Sequence, residues 1–299
     1  MTAAPPPRDS VLDALGYAFR VVGKPGFVWA PILLYGIVGL PLLAMPGMNG
    51  IPPTFTTGAD VEAYFRTFIP TFAATTVLSI VLGPVAAAVA YRLAGQYVEG
   101  EAPDAFGPGA GNLAWRFFLQ LFVYVGLGLA FVLAIVIALA VLQAIVGLGV
   151  AILVTVIAAL VAYFVVVVRI GLAPVLLLHG AGPIESLRRS WQITDGHFRR
   201  VFRWLFVTYV VIGIGAGVIG GALGAVLGAA GLYGVAQLIA TAITAPFVVM
   251  GAIVSILLLR VLTSPELPTP PTAALPDWMA PTAAPHSPVT PPAPANDGS

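Results

Sequence analysis

The chain contains no cysteine. That absence removes disulfides, thiolate nucleophiles, cysteine-ligated zinc and iron–sulfur clusters, and it leaves the redox compartment unreadable. Charge is scarce too: Asp, Glu, Lys and Arg make up 8% of the residues, against about a quarter in a soluble domain. Two stretches, Phe117 to Val168 and Trp204 to Leu259, hold none of the four over 52 and 56 residues. At about 1.5 Å per helical residue each far exceeds the roughly 30 Å hydrocarbon core of a bilayer, so each must cross, turn and cross back. With 59% hydrophobic residues and a mean hydropathy of +1.00, the composition is that of an integral membrane protein. No cleaved signal is expected, because Met1 to Lys24 hold no uninterrupted apolar run ending in a small-residue site. The first span is therefore expected to direct insertion.

What is present reads as an all-α integral membrane fold with six transmembrane helices in three hairpins. The predicted spans cover residues 27–45, 69–90, 117–141, 148–168, 206–228 and 232–259, within a membrane domain of 27–262. Turns fall at Gln143 to Gly149 and Gly228 to Gly234, where glycine relaxes the helix. Residues 1–26 form an N-terminal segment with an amphipathic helix, and 263–299 a disordered tail rich in Pro, Ala and Thr. The basic residues are twelve Arg and one Lys, and on this layout all but Arg66 fall on one side. The positive-inside rule then puts both termini in the cytoplasm. Trp29, Trp115, Trp191 and Trp204 sit near that boundary, as interfacial anchors should.

At an offset of 172, Asp13-Ala-Leu-Gly-Tyr-Ala-Phe19-Arg-Val21 matches Glu185-Ser-Leu-Arg-Arg-Ser-Trp191-Gln-Ile193 in residue type. Each copy precedes a predicted hairpin. In the second, the spacing predicts a helix over 183–194, with Ile184, Leu187 and Trp191 on one face and Glu185, Arg188 and Arg189 on the other. Pro183 suits its first turn and Asp195-Gly196 its stop. Such a helix lies in the membrane interface. A degenerate third copy falls at Ala102 to Arg116, which its Gly and Pro content weakens.

Arg169 follows four valines and precedes another apolar run. It is expected at the end of the fourth span, reaching to the headgroups while Pro174 breaks the helix. Turned inward, it would pair with Glu185 or Asp195, or grip a lipid phosphate. His179, Glu185, Asp195 and His197 lie within nineteen residues but match no metal-ligand spacing, so no metal or cofactor is expected. His179 and His197 would be the acid–base candidates were this a lipid-modifying enzyme. No serine elbow, P-loop or intramembrane carboxylate pair accompanies them, and no Asp or Glu lies in any predicted span. Gly213, Gly217 and Gly221, with Gly220, Gly224 and Gly228, form small-xxx-small ridges expected to pack inside the bundle. Gln120, Gln143, Thr155, Gln237 and Thr244 would have to line any polar path, and Pro31, Pro41, Pro84 and Pro246 offer kinks.

The run Arg169-Ile-Gly-Leu-Ala-Pro174, with Gly182-Pro-Ile-Glu-Ser-Leu-Arg-Arg-Ser-Trp191 and Gly196-His-Phe198, resembles the signature of bacterial six-span proteins related to the membrane domain of glycerophosphoryl diester phosphodiesterase. The specific part spans about thirty residues, and the span layout extends it over Leu12 to Leu262. The resemblance implies a bacterial inner-membrane bundle that contacts lipid or a partner enzyme. The phosphodiesterase chemistry of two-domain relatives belongs to a soluble barrel, to which nothing here corresponds. The expectation is a multi-pass, non-enzymatic protein without nucleic-acid partners. Its Arg169, Glu185, Arg188, Arg189, Trp191, His197, Arg199 and Arg200 would contact anionic headgroups or a protein at the cytoplasmic face. The competing expectation is a transporter or flippase for an amphipathic solute.

Overall fold

A computed structural model describes residues 10–44 and 57–263, and their secondary structure is entirely helical. Helix α1 (Val11–Phe19) leads through two 3-10 turns to α2 (Trp29–Gly39) and a further 3-10 stretch, Leu40–Ala44. Then come α3 (Gly58–Glu99), α4 (Ala110–Val146), α5 (Leu148–Ile170), α6 (Ala173–Leu178), α7 (Pro183–Thr194), α8 (Phe198–Ala229) and α9 (Tyr233–Thr263). Five segments are long and apolar enough to cross a membrane: Gly58–Glu99, Ala110–Val146, Leu148–Leu178, Phe198–Ala229 and Gly234–Thr263. Helices suit that solvent because the bilayer core offers the backbone no water to bond.

The predicted turns form where glycine permits them. Gly147, at φ +83°, alone separates α4 from α5, and Gly231, at φ +72°, turns the chain between α8 and α9. These positive φ values cost other residues dearly. At the start of α3, Thr57 and Asp60 form a reciprocal capping box. Helix α3 has 42 residues, about 63 Å at 1.5 Å each, so its ends project well past a hydrocarbon core.

Helix α9 is the centre of the packing. Val249, Ile253, Ile256, Leu257 and Leu258 are buried there against Leu93 of α3, Leu172 and Val175 beside α6, and Val201 of α8. The outward faces of α4, α5 and α8 instead present Leu129, Val132, Ile157 and Ile214 to the surroundings. A continuous apolar exterior of this kind is untenable in water and natural in lipid.

At one end of the bundle, polar contacts tie several elements together. The last turns of α3 and α9 meet through Glu99 and Arg260 at 3.5 Å. Helix α1 reaches α3 through Tyr17 and Tyr97, each hydroxyl donating to the other's carbonyl at 3.5 Å. Between α3 and α4, the Arg92 guanidinium clamps the loop by donating from Nε to the Asp104 carbonyl at 2.8 Å and from a terminal nitrogen to the Pro108 carbonyl at 2.9 Å.

Several expectations need correction. The first predicted span, 27–45, is α-helical only over Trp29–Gly39, because Pro41 lacks an amide and blocks continuation, and the chain tightens into a 3-10 stretch. Trp204 is fully buried in the core rather than anchoring an interface. The degenerate third copy is a clamped loop up to Gly109, and Ala110 to Arg116 already belong to α4. On α8, the packed glycines are Gly215 against Phe247 and Gly220 against Ala240, whereas the Gly213, Gly217 and Gly221 ridge faces open space. The predicted tail lies outside the described residues beyond Thr263.

The two-copy repeat has a structural counterpart. Ala14 and Ala18 of α1 are fully buried, and so are Ser186 and Ser190, their equivalents in α7. Leu12 and Ile184 are 68% and 67% exposed, with Phe19 and Trp191 exposed two turns further along the same face. Each helix thus turns small residues inward and its large apolar pair outward.

Candidate functional site

The site is built around a break in the fifth helix. Gly171 and Leu172 separate α5 from α6, with Pro174 in the first turn of α6, where its missing amide costs nothing. Ser190 of α7 bridges the interruption: its Oγ donates to the Arg169 carbonyl at 2.7 Å and accepts from the Leu172 amide at 3.2 Å. One turn earlier, Ser186 donates to the Pro183 carbonyl at 2.8 Å, and its Oγ lies 3.1 Å from the side-chain amide of Gln120 of α4. Thr194 donates to the Ser190 carbonyl at 2.7 Å. All three hydroxyl residues are fully buried, so α7 docks on its neighbours by a small polar ridge. Small side chains permit the close approach, and hydroxyls supply the bonds that a broken helix needs.

This arrangement settles Arg169. Its side chain is 19% exposed and does not reach outward for headgroups. One terminal nitrogen donates to Asp195 Oδ1 at 2.9 Å and to the Trp191 carbonyl, in the last turn of α7, at 3.4 Å. The guanidinium carbon lies 5.1 Å from the Trp191 ring and 5.8 Å from that of Phe198. A cation beside the carbonyl end of a helix and against two rings is favourably placed on both counts. Arg169 therefore ties α5 to α7 and the start of α8, and its expected outward reach is corrected. Of its two expected partners, Asp195 is the one engaged. Glu185 instead pairs with Arg189 and accepts from the Gly182 amide at 3.4 Å.

The remaining predicted residues form the outer surface of this knot. Glu185, Arg188, Arg189, Trp191 and Arg199 are exposed, and His197 and Arg200 half-buried. With Ile184 they make an amphipathic face of basic and large apolar groups. Nearby, the Tyr17 phenol is held above its ordinary pKa by burial, an effect that Arg260 and Arg20 oppose. His179 donates from Nδ1 to the Val175 carbonyl at 2.8 Å and joins none of the other three in a cluster. Among the described residues no three metal-capable side chains converge.

The residues required for a polar path are likewise scattered. Gln120 meets α7, Thr155 is buried beside Phe131 and Ile135 of α4, Gln143 is exposed, Gln237 is half-buried, and Thr244 donates back to the Thr241 carbonyl of its own helix. The docking roles of Ser186, Ser190 and Thr194 escaped a reading that followed large residues, although their i, i+4, i+8 spacing was visible. No family model, curated protein or solved structure matches the chain.

Proposed function

We propose that this chain is a six-span, non-enzymatic protein of a bacterial inner membrane whose cytoplasmic face holds anionic lipid headgroups and, through them or directly, a partner protein. The observation that carries the reading is the outward surface of α7, which exposes Ile184 and Trp191 together with Arg188 and Arg189, with Arg199 exposed at the start of α8. Apolar anchors entering the acyl boundary beside arginines at headgroup level are what an interface helix needs. Each basic group near an anionic surface contributes about 1 kcal/mol.

A sixth span is supported by how far α2 reaches. Phe27 packs edge-on against Tyr97 at the polar end, with ring centroids 5.3 Å apart. At the other end of α2, a methyl group on Gly39 would come within 3.1 Å of Leu238, early in α9. The segment thus runs alongside most of a spanning helix despite its short α-helical part. Three hairpins, α2 with α3, α4 with α5 and α8 with α9, then share one cytoplasmic end. The excess of arginine at that end supports the orientation, and the resemblance to phosphodiesterase membrane domains supports the bacterial inner membrane.

The test is native mass spectrometry of the full chain after mild delipidation, comparing wild type with R188Q/R189Q/R199Q/R200Q. Retention of anionic lipid that the substitutions abolish is the expected result. Equal retention by both proteins would sink the lipid reading. A transporter or flippase is the second reading, supported by the buried hydroxyls of Thr155 and Thr208, which have no hydrogen-bond partner among the described residues. Lipid scrambling in proteoliposomes no faster than in empty vesicles would remove it.

A further inference from the structure

We propose that the turn between α6 and α7, together with the last turn of α9, forms a discrete site for the phosphate of one anionic phospholipid, gripped by Arg189 and Arg260 beside His179. This rests on the reading of a lipid-binding cytoplasmic face and assigns where on that face a single headgroup sits. A cleft of about 390 Å³ opens there, with Leu176, Ile193 and Leu259 as its apolar lining and His179, Arg189 and Arg260 as its cationic and polar part. Gln192 adds an amide, and among the described residues no carboxylate lines the cleft. The carboxylates that pair with the two arginines, Glu185 and Glu99, stand outside it.

Three features fit a lipid phosphate. The arginines come from separate elements, α7 and α9, so their forks can approach one phosphate from two sides, and guanidinium geometry matches phosphate oxygens in pairs. Their existing ion pairs are exposed, with 41–58% of the side-chain surface accessible on all four partners, and the Arg260–Glu99 contact is long at 3.5 Å. Exposed pairs of this kind are weak and yield readily to a better anion. His179 commits Nδ1 to the Val175 carbonyl, so Nε2 is the nitrogen left, and it donates to a phosphate oxygen when the imidazole carries both protons.

The apolar lining distinguishes a phospholipid from a free anion, because it gives the glycerol and upper acyl carbons a dry surface next to the phosphate. The cleft also lies at the end of the bundle where α7 turns Ile184 and Trp191 outward, the level expected of headgroups. His179 also lines a second cleft, of about 250 Å³, which carries Glu99 and Glu101 beside Arg92. The Arg92 guanidinium is held by the Asp104 and Pro108 carbonyls, and the two carboxylates disfavour a phosphate there relative to the Arg189–Arg260 cleft.

The test titrates the full chain, in a neutral detergent, with dihexanoyl phosphatidic acid, dihexanoyl phosphatidylcholine and inorganic phosphate. The expected result is saturable binding of one phosphatidic acid per protein and binding of the other two at least tenfold weaker. R189Q/R260Q is expected to weaken phosphatidic acid at least tenfold, R189K/R260K, which keeps the charge but loses the fork, to weaken it by less than R189Q/R260Q, and R199Q/R200Q to leave it within threefold of wild type. Thr263→Trp, at the exposed end of α9, fills the cleft without removing a charge and is expected to block the lipid even if R189Q/R260Q does not fold. Inorganic phosphate binding as tightly as the lipid would overturn the lipid assignment. Anionic lipid lost in R199Q/R200Q but kept in R189Q/R260Q and Thr263→Trp would overturn this site while sparing the lipid-binding face. Anionic lipid unaffected by any of these changes would overturn both.

Discussion

Replacing Ser190 with alanine tests the join between α5, α6 and α7 at its narrowest point. The hydroxyl holds a carbonyl at 2.7 Å and an amide at 3.2 Å, and the residue is fully buried, so water cannot take its place. Leaving a buried polar group without a partner costs about 1–3 kcal/mol, and two are orphaned here, which after partial relaxation gives about 3 kcal/mol. With a shift of about 2–4 °C per kcal/mol for a domain of this size, the melting temperature should fall by roughly 6–12 °C. Intrinsic tryptophan fluorescence in detergent reads the transition. The control is Thr76→Ala, which removes an exposed hydroxyl bonded only to the Phe72 carbonyl of its own helix at 2.8 Å and should change stability by less than about 0.5 kcal/mol. A Ser190→Ala protein melting within about 2 °C of wild type would refute the claim that α7 is bonded into the helix break.

The same melting assay checks two further positions. Ala14→Leu forces a large side chain into the fully buried contact between α1 and the core and should cost about 1–3 kcal/mol. Gly147→Ala places a side chain at φ +83° and ψ 161° and should cost about 1–3 kcal/mol, although nothing lies within 4 Å of the added methyl. Arg92→Ala releases the loop before α4, so cleavage after Glu101 by a glutamyl endopeptidase should accelerate by about tenfold, the equivalent of one charge-assisted hydrogen bond. An unchanged rate would mean that the loop holds its shape without the clamp.

Much of the bundle was legible because the bilayer imposes simple rules. Charge-free runs of fixed length mark spans, and Gly147 and Gly231 mark turns that no bulky residue could make. Where the reading went astray, the deciding physics was local contact. In water, the large apolar face of an amphipathic helix is its buried face. In α7, Ile184 and Trp191 face outward, and Ser186, Ser190 and Thr194 pack inward because the broken helix needs their hydroxyls. Arg169 looked like a headgroup contact because it ends an apolar run. Its direction depends on Asp195, 26 residues further on, which no periodicity connects to it. Trp204 carries the composition of an interfacial anchor but lands where α8 crosses the core. The shortening of α2 was foreshadowed by Pro41, whose effect on a helix is strictly local.

Because the chain has no cysteine of its own, single cysteines report sidedness without background. Asp13→Cys, Glu62→Cys, Arg199→Cys and Ala230→Cys, all at exposed positions, would be labelled with a membrane-impermeant maleimide in spheroplasts and again after lysis. Six spans with the arginine face in the cytoplasm predict labelling of Glu62→Cys and Ala230→Cys before lysis, and of Asp13→Cys and Arg199→Cys only after it. Labelling of Arg199→Cys in intact spheroplasts would contradict the orientation, and Asp13→Cys reacting from the same side as Glu62→Cys would show that α2 does not cross.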